Sequence, residues 1–416
     1  MKWIANRISF RDSVSVGFSY GERLMMRTIL TINTGSSSLK VALYECEHEA
    51  TRVLTGQVDR IGQVDGYQRI SGSRCSLISE QQGYFSDYQA ALNSILAGLR
   101  ECRNSFTIDA VGHRVVHGGA EYREPELITP ALLSNLERLV PMASQHLPQA
   151  IAAMRTTLDL FPDQPQLACF DTSFHRTMPA VAQTYPLPAR YRDDGVLRYG
   201  FHGLSYQYIV CKLRQIAPDE VQGRVLIAHL GNGASLAAVR HGQSVDTTMG
   251  FTPTGGLMMG TRTGDLDPGL LAYLLTQRGL SPEELMTLIN RQSGLIGVSE
   301  TSSDMRHLLE TARTDYRAAD AVELFCYLAR KQMGAMVAAM EGLDTLIFTG
   351  GIGEHAAAVR WQICAGLGFL GVKLDPLANQ ANAPVISTET GPVKVRVINT
   401  DEELVIARAL LRYLEL

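Results

Sequence analysis

The sequence has no paired cysteine motif. Its seven cysteines are scattered over 416 residues without a CxxC pair, which excludes a cysteine zinc site and favours a reducing, cytoplasmic environment. No apolar run approaches the roughly 18 residues that a membrane-spanning helix needs. A net charge of −4 gives no general attraction for nucleic acid or for an anionic membrane. We therefore expect neither nucleic acid nor a membrane as a partner.

Three familiar motifs are missing as well. The chain has no GxxxxGKS/T phosphate loop, no complete GxGxxG repeat and no Ser-His-Asp arrangement for nucleophilic catalysis. What it does have is 45% hydrophobic and 19% charged residues, as in ordinary globular proteins. Its length predicts two or three domains.

Residues 1–25 differ from the rest of the chain. They show neither helical nor strand periodicity, and they lack the continuous apolar stretch of a signal peptide. Three arginines leave a targeting peptide open, although two acidic residues count against it. Met25 and Met26 directly precede the first predicted strand. We expect residues 1–25 to be an N-terminal extension that is disordered or not native.

The most informative stretch is residues 246–269, DTTMGFTPTGGLMMGTRTGDLDPG. It is too rich in glycine for a helix or a central strand, yet its Met, Phe and Leu side chains favour burial. Glycine allows backbone to approach a ligand closely, and the single guanidinium, Arg262, suits a phosphate or carboxylate. The stretch predicts an anion-binding loop. The alternative is a long loop that only packs on itself.

Two similar strand–turn–strand patterns lie about half a chain apart. The first runs from Arg27 to Tyr44 with a Ser-rich turn and Lys40, and the second begins near Val225 and turns at Gly231–Gly233. Both are typical of hairpins, whose turns offer donors to a phosphate. Each could equally be a turn without a ligand. The repeat favours an old duplication with a nucleotide between two halves.

Strands and helices alternate elsewhere, which favours α/β layers. Helices are predicted over 90–103, 130–140, 147–160, 268–277 and 320–340, and strands over 110–116, 167–170, 345–348 and 393–398. A Gly/Ser-rich loop is expected at 293–306, and the glycines at 350–353 follow a strand, as at a nucleotide site. Arg114, Asp171 and His202 flank strand ends or turns, where α/β sheets collect their chemistry. Thr400 or Asp401 could simply cap the last helix.

Nine ordered motifs together resemble the acetate kinase family across residues 27–416. They are INTGSSSLK, GHRVVHGG, FDTSFHRTMP, RYGFHGLSY, HLGNGAS, MGFTPTGGLMMGTRTGDLDP, SSDMR, FTGGIGEH and NTDEELVIAR. The resemblance implies two similar α/β domains of the ribonuclease-H-like or actin-like ATPase type around a nucleotide cleft. Domain I would comprise 26–175 plus 403–416, and domain II, which binds the nucleotide, 176–402.

The resemblance also implies an activity. It is the reversible, Mg²⁺-dependent transfer of the ATP γ-phosphoryl group to acetate, directly and in line, giving acetyl phosphate and ADP. Mn²⁺ is an alternative ion. Family members form homodimers, so we expect a homodimer here, although the sequence alone does not indicate which surface forms the interface.

Residue roles follow from the resemblance position by position. Catalytic roles fall on Arg114, Asp171, His202 and Arg262. The carboxylic acid would meet Arg114, Val116, Phe201 and Pro253, and the metal ion would meet Asn33 and Glu402. Nucleotide-binding roles fall on Lys40, His229, Gly231, Asn232, Gly233, Asp304, Met305, Arg306, Gly351 and Ile352, and His146 also matches a position near the active site.

This chemistry explains the residue types. A carboxylate acceptor is already ionised at neutral pH and needs no strong base, so the obstacle is repulsion between two anions. We expect cationic side chains at 114, 202 and 262 to converge in one cleft. Arg114 could alternatively be a structural salt-bridge residue, and His202 a satisfied core histidine.

Departures from the family pattern concern the acyl pocket. Gln145 stands where the family has an apolar leucine, and Thr254 and Gly255 also depart from it. A relative that prefers propionate or butyrate, or a non-catalytic ATP-binding relative, therefore stays open.

Overall fold

The computed structural model describes residues 26–35, 37–72, 77–102 and 106–415. The expectation for residues 1–25 lies outside this range and stays a prediction. Among the described helices, none combines the length and apolarity that crossing a membrane requires.

The described strands fall into two sheets. They are β1 Arg27–Thr34, β2 Ser38–Cys46, β3 Ala50–Asp59, β4 Gly66–Gly72, β5 Leu77–Gly83, β6 Ala110–Val115, β7 Glu126–Leu127, β8 Gln166–Phe170, β9 Arg224–Leu230, β10 Ala234–Arg240, β11 Gln243–Thr247, β12 Thr345–Thr349 and β13 Lys394–Val397.

The helices surround these sheets and connect their strands. They are α1 Tyr88–Cys102, α2 Pro130–Leu139, α3 Leu147–Leu160, α4 Ala180–Gln183, α5 Ala189–Asp193, α6 Gly203–Ile216, α7 Pro218–Val221, α8 Pro268–Thr276, α9 Pro282–Arg291, α10 Gly294–Ser299, α11 Met305–Thr311, α12 Tyr316–Met340, α13 Gly350–His355, α14 Ala357–Cys364, α15 Pro376–Gln380 and α16 Glu402–Leu414.

The two sheets share the strand order of a five-stranded core. The first reads β5-β4-β3-β2-β1-β6-β8-β7 and the second β11-β10-β9-β12-β13. In this core, an antiparallel three-stranded meander is followed by two strands parallel to its first member: β6 and β8 beside β1, and β12 and β13 beside β9. The first sheet adds β4 and β5 beyond β3, and antiparallel β7 beside β8. This shared topology confirms the predicted pair of similar α/β units.

The two predicted hairpins open the two sheets. In β1–β2, Asn33 pairs with Lys40, and in β9–β10, Leu230 pairs with Ala234 across the Gly231–Gly233 turn. Both turns lie at the same end of their sheets, next to the carboxyl ends of the parallel strands. Ligands of open α/β sheets bind at that edge.

Helices α6 and α16 pack side by side between the sheets. The buried face of α16, with Ile406 and Leu410, covers β1 and β6 of the first sheet, whereas Ile209 and Leu213 of α6 pack on β9 and β10 of the second. The position of α16 is consistent with assigning 403–416 to domain I. The domain boundaries themselves remain a proposal.

Two expectations about local structure were incomplete or wrong. The predicted loop at 293–306 contains helix α10, because Gly294 adopts a positive φ of 65° and its neighbours bond back to the loop at Met259 and Gly260. The sequence analysis also overlooked strands β3 to β5, whose exposed edge strand β5 lacks the apolar alternation that reveals half-buried strands.

Close packing of α16 on β6 generates a prediction about stability. A Cβ atom at Gly112 would overlap the side chains of Ile406 and Leu410, whereas one at Gly334 in α12 would meet nothing within 4 Å. We expect Gly112→Ala to lower the free energy of unfolding by about 1–3 kcal/mol through overpacking. Gly334→Ala should raise it by up to about 1 kcal/mol through helix propensity.

Urea titrations of the two variants provide the measurement. Equal denaturation midpoints for both would show that α16 does not pack on β6 as closely as described.

Candidate active site

A cavity of about 450 Å³ opens where the two hairpin turns face each other. Residues at the carboxyl ends of β1, β6 and β8 reach it from the first sheet. Many of the sequence-predicted site residues line it: Asn33, Lys40, Arg114, Val116, Asp171, Phe201, His202, His229, Asn232, Gly233, Pro253, Arg262, Gly351 and Glu402.

An adjoining cavity, also about 450 Å³, contains the remaining predicted residues. It shares Asn232 and Gly351 with the first cavity, so the two are neighbours. Gly231, Asp304, Met305, Arg306 and Ile352 complete the predicted set along its walls. The structure thus places every predicted site residue at one of two neighbouring cavities.

Arg114 is the centre of an ion-pair network. Its Nε and Nη2 donate to the Asp171 carboxylate at 2.7–3.1 Å, and its Nη1 lies 3.1 Å from Glu402 Oε2 and 3.2 Å from Asn33 Oδ1. Burial opposes its charge, but Asp171 and Glu402 outweigh burial and raise the pKa of Arg114. These ion pairs fit a structural salt-bridge role for Arg114 as well as a functional one.

Arg262 has a different environment. Within the described residues it makes no ion pair: Nη1 donates to the Pro253 carbonyl at 3.0 Å, and Nη2 lies 3.3 Å from Nε2 of His146. Burial and then Arg114 lower the pKa of Arg262 to about 10, which still leaves it charged at neutral pH. Arg262 is partly buried, and a cation removed from water without a counter-charge is unfavourable unless an anion joins it. The arrangement favours an anionic ligand between Arg114 and Arg262.

His146 supports this interpretation. Burial, followed by the positive charges of Arg262 and Arg114, lowers the pKa of His146 to about 3. Its imidazole is therefore neutral and can accept the hydrogen bond from Arg262. It helps to orient the guanidinium without neutralising it.

The loop that carries Arg262 is held at several points. The Phe251 amide donates to the Tyr185 hydroxyl at 2.7 Å, and the Gly256 amide donates to Asp265 Oδ1 at 2.7 Å. Gly260 lies so close to Asn232 that any Cβ there would overlap the amide side chain. These contacts explain the glycine content: the backbone must pass beside the β9–β10 turn.

The C-terminal end of α9 fixes the residues on both sides of Arg262. Thr261 Oγ1 donates to the Asn290 carbonyl at 2.9 Å, and the Thr263 amide donates to the Ile289 carbonyl at 3.0 Å. The buried side chains of Leu257, Met258 and Met259 anchor the preceding segment. The loop is a packed element of the fold as well as a ligand-facing one.

His202 and His229 stack beside the guanidinium groups. Their ring centroids lie 4.2 Å apart, and each Nδ1 contacts a serine: Ser235 Oγ at 2.8 Å from His202, and Ser205 Oγ at 2.9 Å from His229. Burial, His229 and both arginines lower the pKa of His202 well below its usual value, and burial lowers that of His229 to about 3.

The expectation of three converging cations is therefore only partly right. The side chains of residues 114, 202 and 262 do meet in one cleft, but the His202 imidazole is neutral at neutral pH. Charged neighbours and desolvation, which the sequence does not display, suppress its protonation. His202 can contribute an N–H donor rather than a charge.

An apolar wall lies beside Arg262. Val116 and Phe201 are buried, and both line the main cavity together with Pro253. Gln145 and Thr254 line instead a space of about 30 Å³ behind Pro253 and His146. This space shares His146, Pro253 and Arg262 with the main cavity, so the effect of Gln145 on the apolar character of the acyl pocket stays a prediction.

Sequence analysis missed Glu354, which also lines the main cavity. Its Oε1 accepts hydrogen bonds from the Gly350 amide at 2.9 Å and the Thr400 amide at 3.1 Å. It joins the turn after β12 to the turn before α16. An acid directly after a glycine-rich stretch at a strand end was the available signal, but its partner Thr400 is distant in sequence and could not be inferred.

Comparison with known proteins agrees with this geometry. Residues 28–408 match the model of the acetokinase family. An acetate kinase of Methylocella silvestris is 43% identical over 94% of this chain and 99% of its own length. The structure of Porphyromonas gingivalis acetate kinase is 36% identical with a TM-score of 0.83, covering 93% of this chain and 100% of that one.

A propionate kinase structure is also similar. The enzyme from Francisella tularensis is 35% identical with a TM-score of 0.86, over 92% of this chain and 99% of that one. On the strength of a family match across nearly the whole chain, together with the shared fold, the protein belongs to the acetokinase family.

Proposed function

We propose that this protein is an acetate kinase, which reversibly transfers the γ-phosphoryl group of ATP to acetate and forms acetyl phosphate and ADP by direct in-line transfer. The observation that carries the proposal is the partly buried, uncompensated guanidinium of Arg262, which lines one cavity together with Arg114 and an apolar wall. The two guanidinium groups suit two anions, and the wall suits a methyl group. Similarity to acetate kinases over most of the chain supports it.

The proposed mechanism needs no strong base. The acceptor carboxylate is ionised at neutral pH, so catalysis consists of positioning it and neutralising charge on the transferred group. Arg262 and Arg114 supply positive charge, and the neutral His202 supplies a hydrogen bond. One well-placed arginine in phosphoryl transfer contributes about 10³ to 10⁵ in rate, or about 4 to 7 kcal/mol.

The oxygen atoms near Arg114 fit Mg²⁺, with Mn²⁺ as an alternative. No cluster of three or more His, Cys, Asp or Glu suited to a metal occurs in the described part of the chain. Mg²⁺ does not require one, because it binds through one or two carboxylates plus waters and substrate phosphates. Asn33 Oδ1 and Glu402 would hold it, with Asp171 nearby. When bound, it would supply positive charge to the nucleotide phosphates.

The adjoining cavity suits the nucleoside end of ATP. Asp304, Met305 and Arg306 face Gly351 and Ile352 across it, and the shared residues Asn232 and Gly351 connect it to the phosphate side. Together with His229, Lys40 and the Gly231–Gly233 turn, these residues form the proposed nucleotide site.

Two alternatives concern substrate and activity. A preference for propionate or butyrate is compatible with the similarity to a propionate kinase. A non-catalytic ATP-binding protein is disfavoured, because binding a nucleotide alone would not require the desolvated, unpaired Arg262.

We also propose a cytoplasmic homodimer with two domains that close around the nucleotide. Helix α8 supports the dimer. Nearly all of its residues are apolar, yet none of them is buried. Leu270, Tyr273 and Leu275 of α8 are 36–49% exposed, and α8 packs against α9. Soluble monomers rarely expose a contiguous apolar patch of this kind, and a second copy is the commonest partner.

Arg262 provides the first functional prediction. Arg262→Ala should lower kcat about 10³-fold or more because it removes charge opposite the transferred group. The KM for ATP should change much less, since the nucleotide contacts lie elsewhere. Steady-state assays of acetyl phosphate formation provide the measurement. Arg396→Ala, which removes another partly buried arginine, paired with Glu220 outside both cavities, is the matched control. Comparable kcat in both variants would contradict the proposal.

The apolar wall predicts substrate preference. Each added methylene should cost wild-type enzyme about 1–3 kcal/mol in kcat/KM across acetate, propionate and butyrate. Val116→Ala should raise the butyrate-to-acetate ratio by enlarging the pocket, whereas Gln145→Leu, outside the main cavity, should change it little. A larger effect of Gln145→Leu than of Val116→Ala would refute this view of the wall.

The dimer prediction concerns α8. Light scattering should show a dimer for the wild type and a monomer for the Leu270→Glu, Tyr273→Glu double variant, because charges at a buried apolar contact are strongly unfavourable. Val64→Glu, at a position 89% exposed in the turn between β3 and β4, is the control and should stay dimeric. A monomeric wild type would disprove the assignment.

A further inference from the structure

A chain of three buried groups ends at His202. Nδ1 of His202 lies 2.8 Å from Ser235 Oγ, and the same Oγ is hydrogen-bonded to the Tyr206 hydroxyl. Tyr206 and Ser235 have no exposed surface. Nε2, the other ring nitrogen of His202, makes no hydrogen bond to the described residues and borders the main cavity.

The number of hydrogens decides the direction of these bonds. Each hydroxyl has one hydrogen, and Ser235 Oγ has two neighbours. If Tyr206 donates to Ser235 and Ser235 donates to Nδ1, every buried hydrogen has an acceptor. The proton of the neutral imidazole must then be on Nε2.

The opposite direction leaves a group unsatisfied. If Nδ1–H donated to Ser235, and Ser235 donated to Tyr206, the phenol hydrogen would have no acceptor among the described residues. If Ser235 accepted from both neighbours, its own hydrogen would lack one. Buried unsatisfied donors are unfavourable and rare in folded proteins.

We propose that Tyr206 and Ser235 are positioning residues that hold His202 in the tautomer with its proton on Nε2, so that a neutral N–H donor faces the cleft. The proposal rests on the proposed function for its catalytic consequence, but not for the tautomer itself. A donor at Nε2 suits oxygens of a phosphoryl group in transit, whereas a lone pair there would repel them.

The surroundings of Nε2 agree with this assignment. A Cβ at Gly233 would lie 3.1 Å from Nε2, so glycine keeps this nitrogen accessible from the cleft. His202 itself adopts a left-handed backbone with φ of 59°, directly before α6, and a Cβ at Gly203 would overlap the Asp171 carbonyl. The strained backbone and the tight packing fix the ring where Ser235 can reach it.

The experiment measures the tautomer directly. Full-length protein labelled with ¹⁵N-histidine is compared with His202→Gln to assign the His202 signals. We expect a pyrrole-type signal at Nε2 and a pyridine-type signal at Nδ1. In Ser235→Ala this distinction should be lost, and in Tyr206→Phe, which keeps the ring volume, a mixture of tautomers should appear.

Kinetics provide the second readout. Ser235→Ala should lower kcat about 10- to 100-fold, as when the partner that orients a functional histidine is removed, with the KM for ATP and acetate little changed. Tyr206→Phe should have a smaller effect in the same direction. Ser205→Ala, which removes the equivalent serine from His229, should leave the His202 signals unchanged.

Three results would overturn the proposal: a wild-type His202 with its proton on Nδ1, an unchanged tautomer in Ser235→Ala, or an altered tautomer there with unchanged kcat. A wild type with the Nε2 proton but no acetyl phosphate formation would support the tautomer assignment and would count against the proposed function instead.

Discussion

The structure depends on one electrostatic constraint, the presence of a partly buried positive charge at Arg262 that no carboxylate in the described chain compensates. Such a charge reduces stability unless its surroundings are rigid and a ligand completes them. The fold meets the first condition with a loop fixed by Tyr185, Asp265 and the end of α9. The second condition is the reason to expect an anion in the cleft.

The two arginines of the cleft differ in how their charges are compensated. Arg114 is tied to Asp171 and Glu402, so its charge is balanced and its position is fixed by the first sheet. The charge of Arg262 is not balanced by a carboxylate among the described residues, and Arg262 reaches the cleft from the Gly-rich loop and not from the first sheet. Between them, His202 and His229 add neutral rings. The cleft therefore gathers positive potential without protonating a histidine, which keeps that potential steady across neutral pH.

Much of this could be predicted from sequence because the informative residues are local. The Gly-rich loop around Arg262, the two hairpin turns and the strand-end positions of Arg114 and Asp171 all carry short-range signals. What sequence could not provide depends on distant partners: the neutrality of His202 reflects burial beside Arg114 and Arg262, and Glu354 acts through Thr400. Helix α10 was missed because loop contacts, rather than its own composition, stabilise it.

Helix α16 has a consequence for how the molecule is made. Glu402 at its start reaches Asn33 in β1, which is separated from it by 369 positions in the chain. Its apolar face also covers β1 and β6. During synthesis the ribosome therefore exports the first sheet long before the helix that covers it exists. Until that late segment emerges, one face of the first sheet remains open to chaperones. The cleft also lacks Glu402, which lines it in the folded protein.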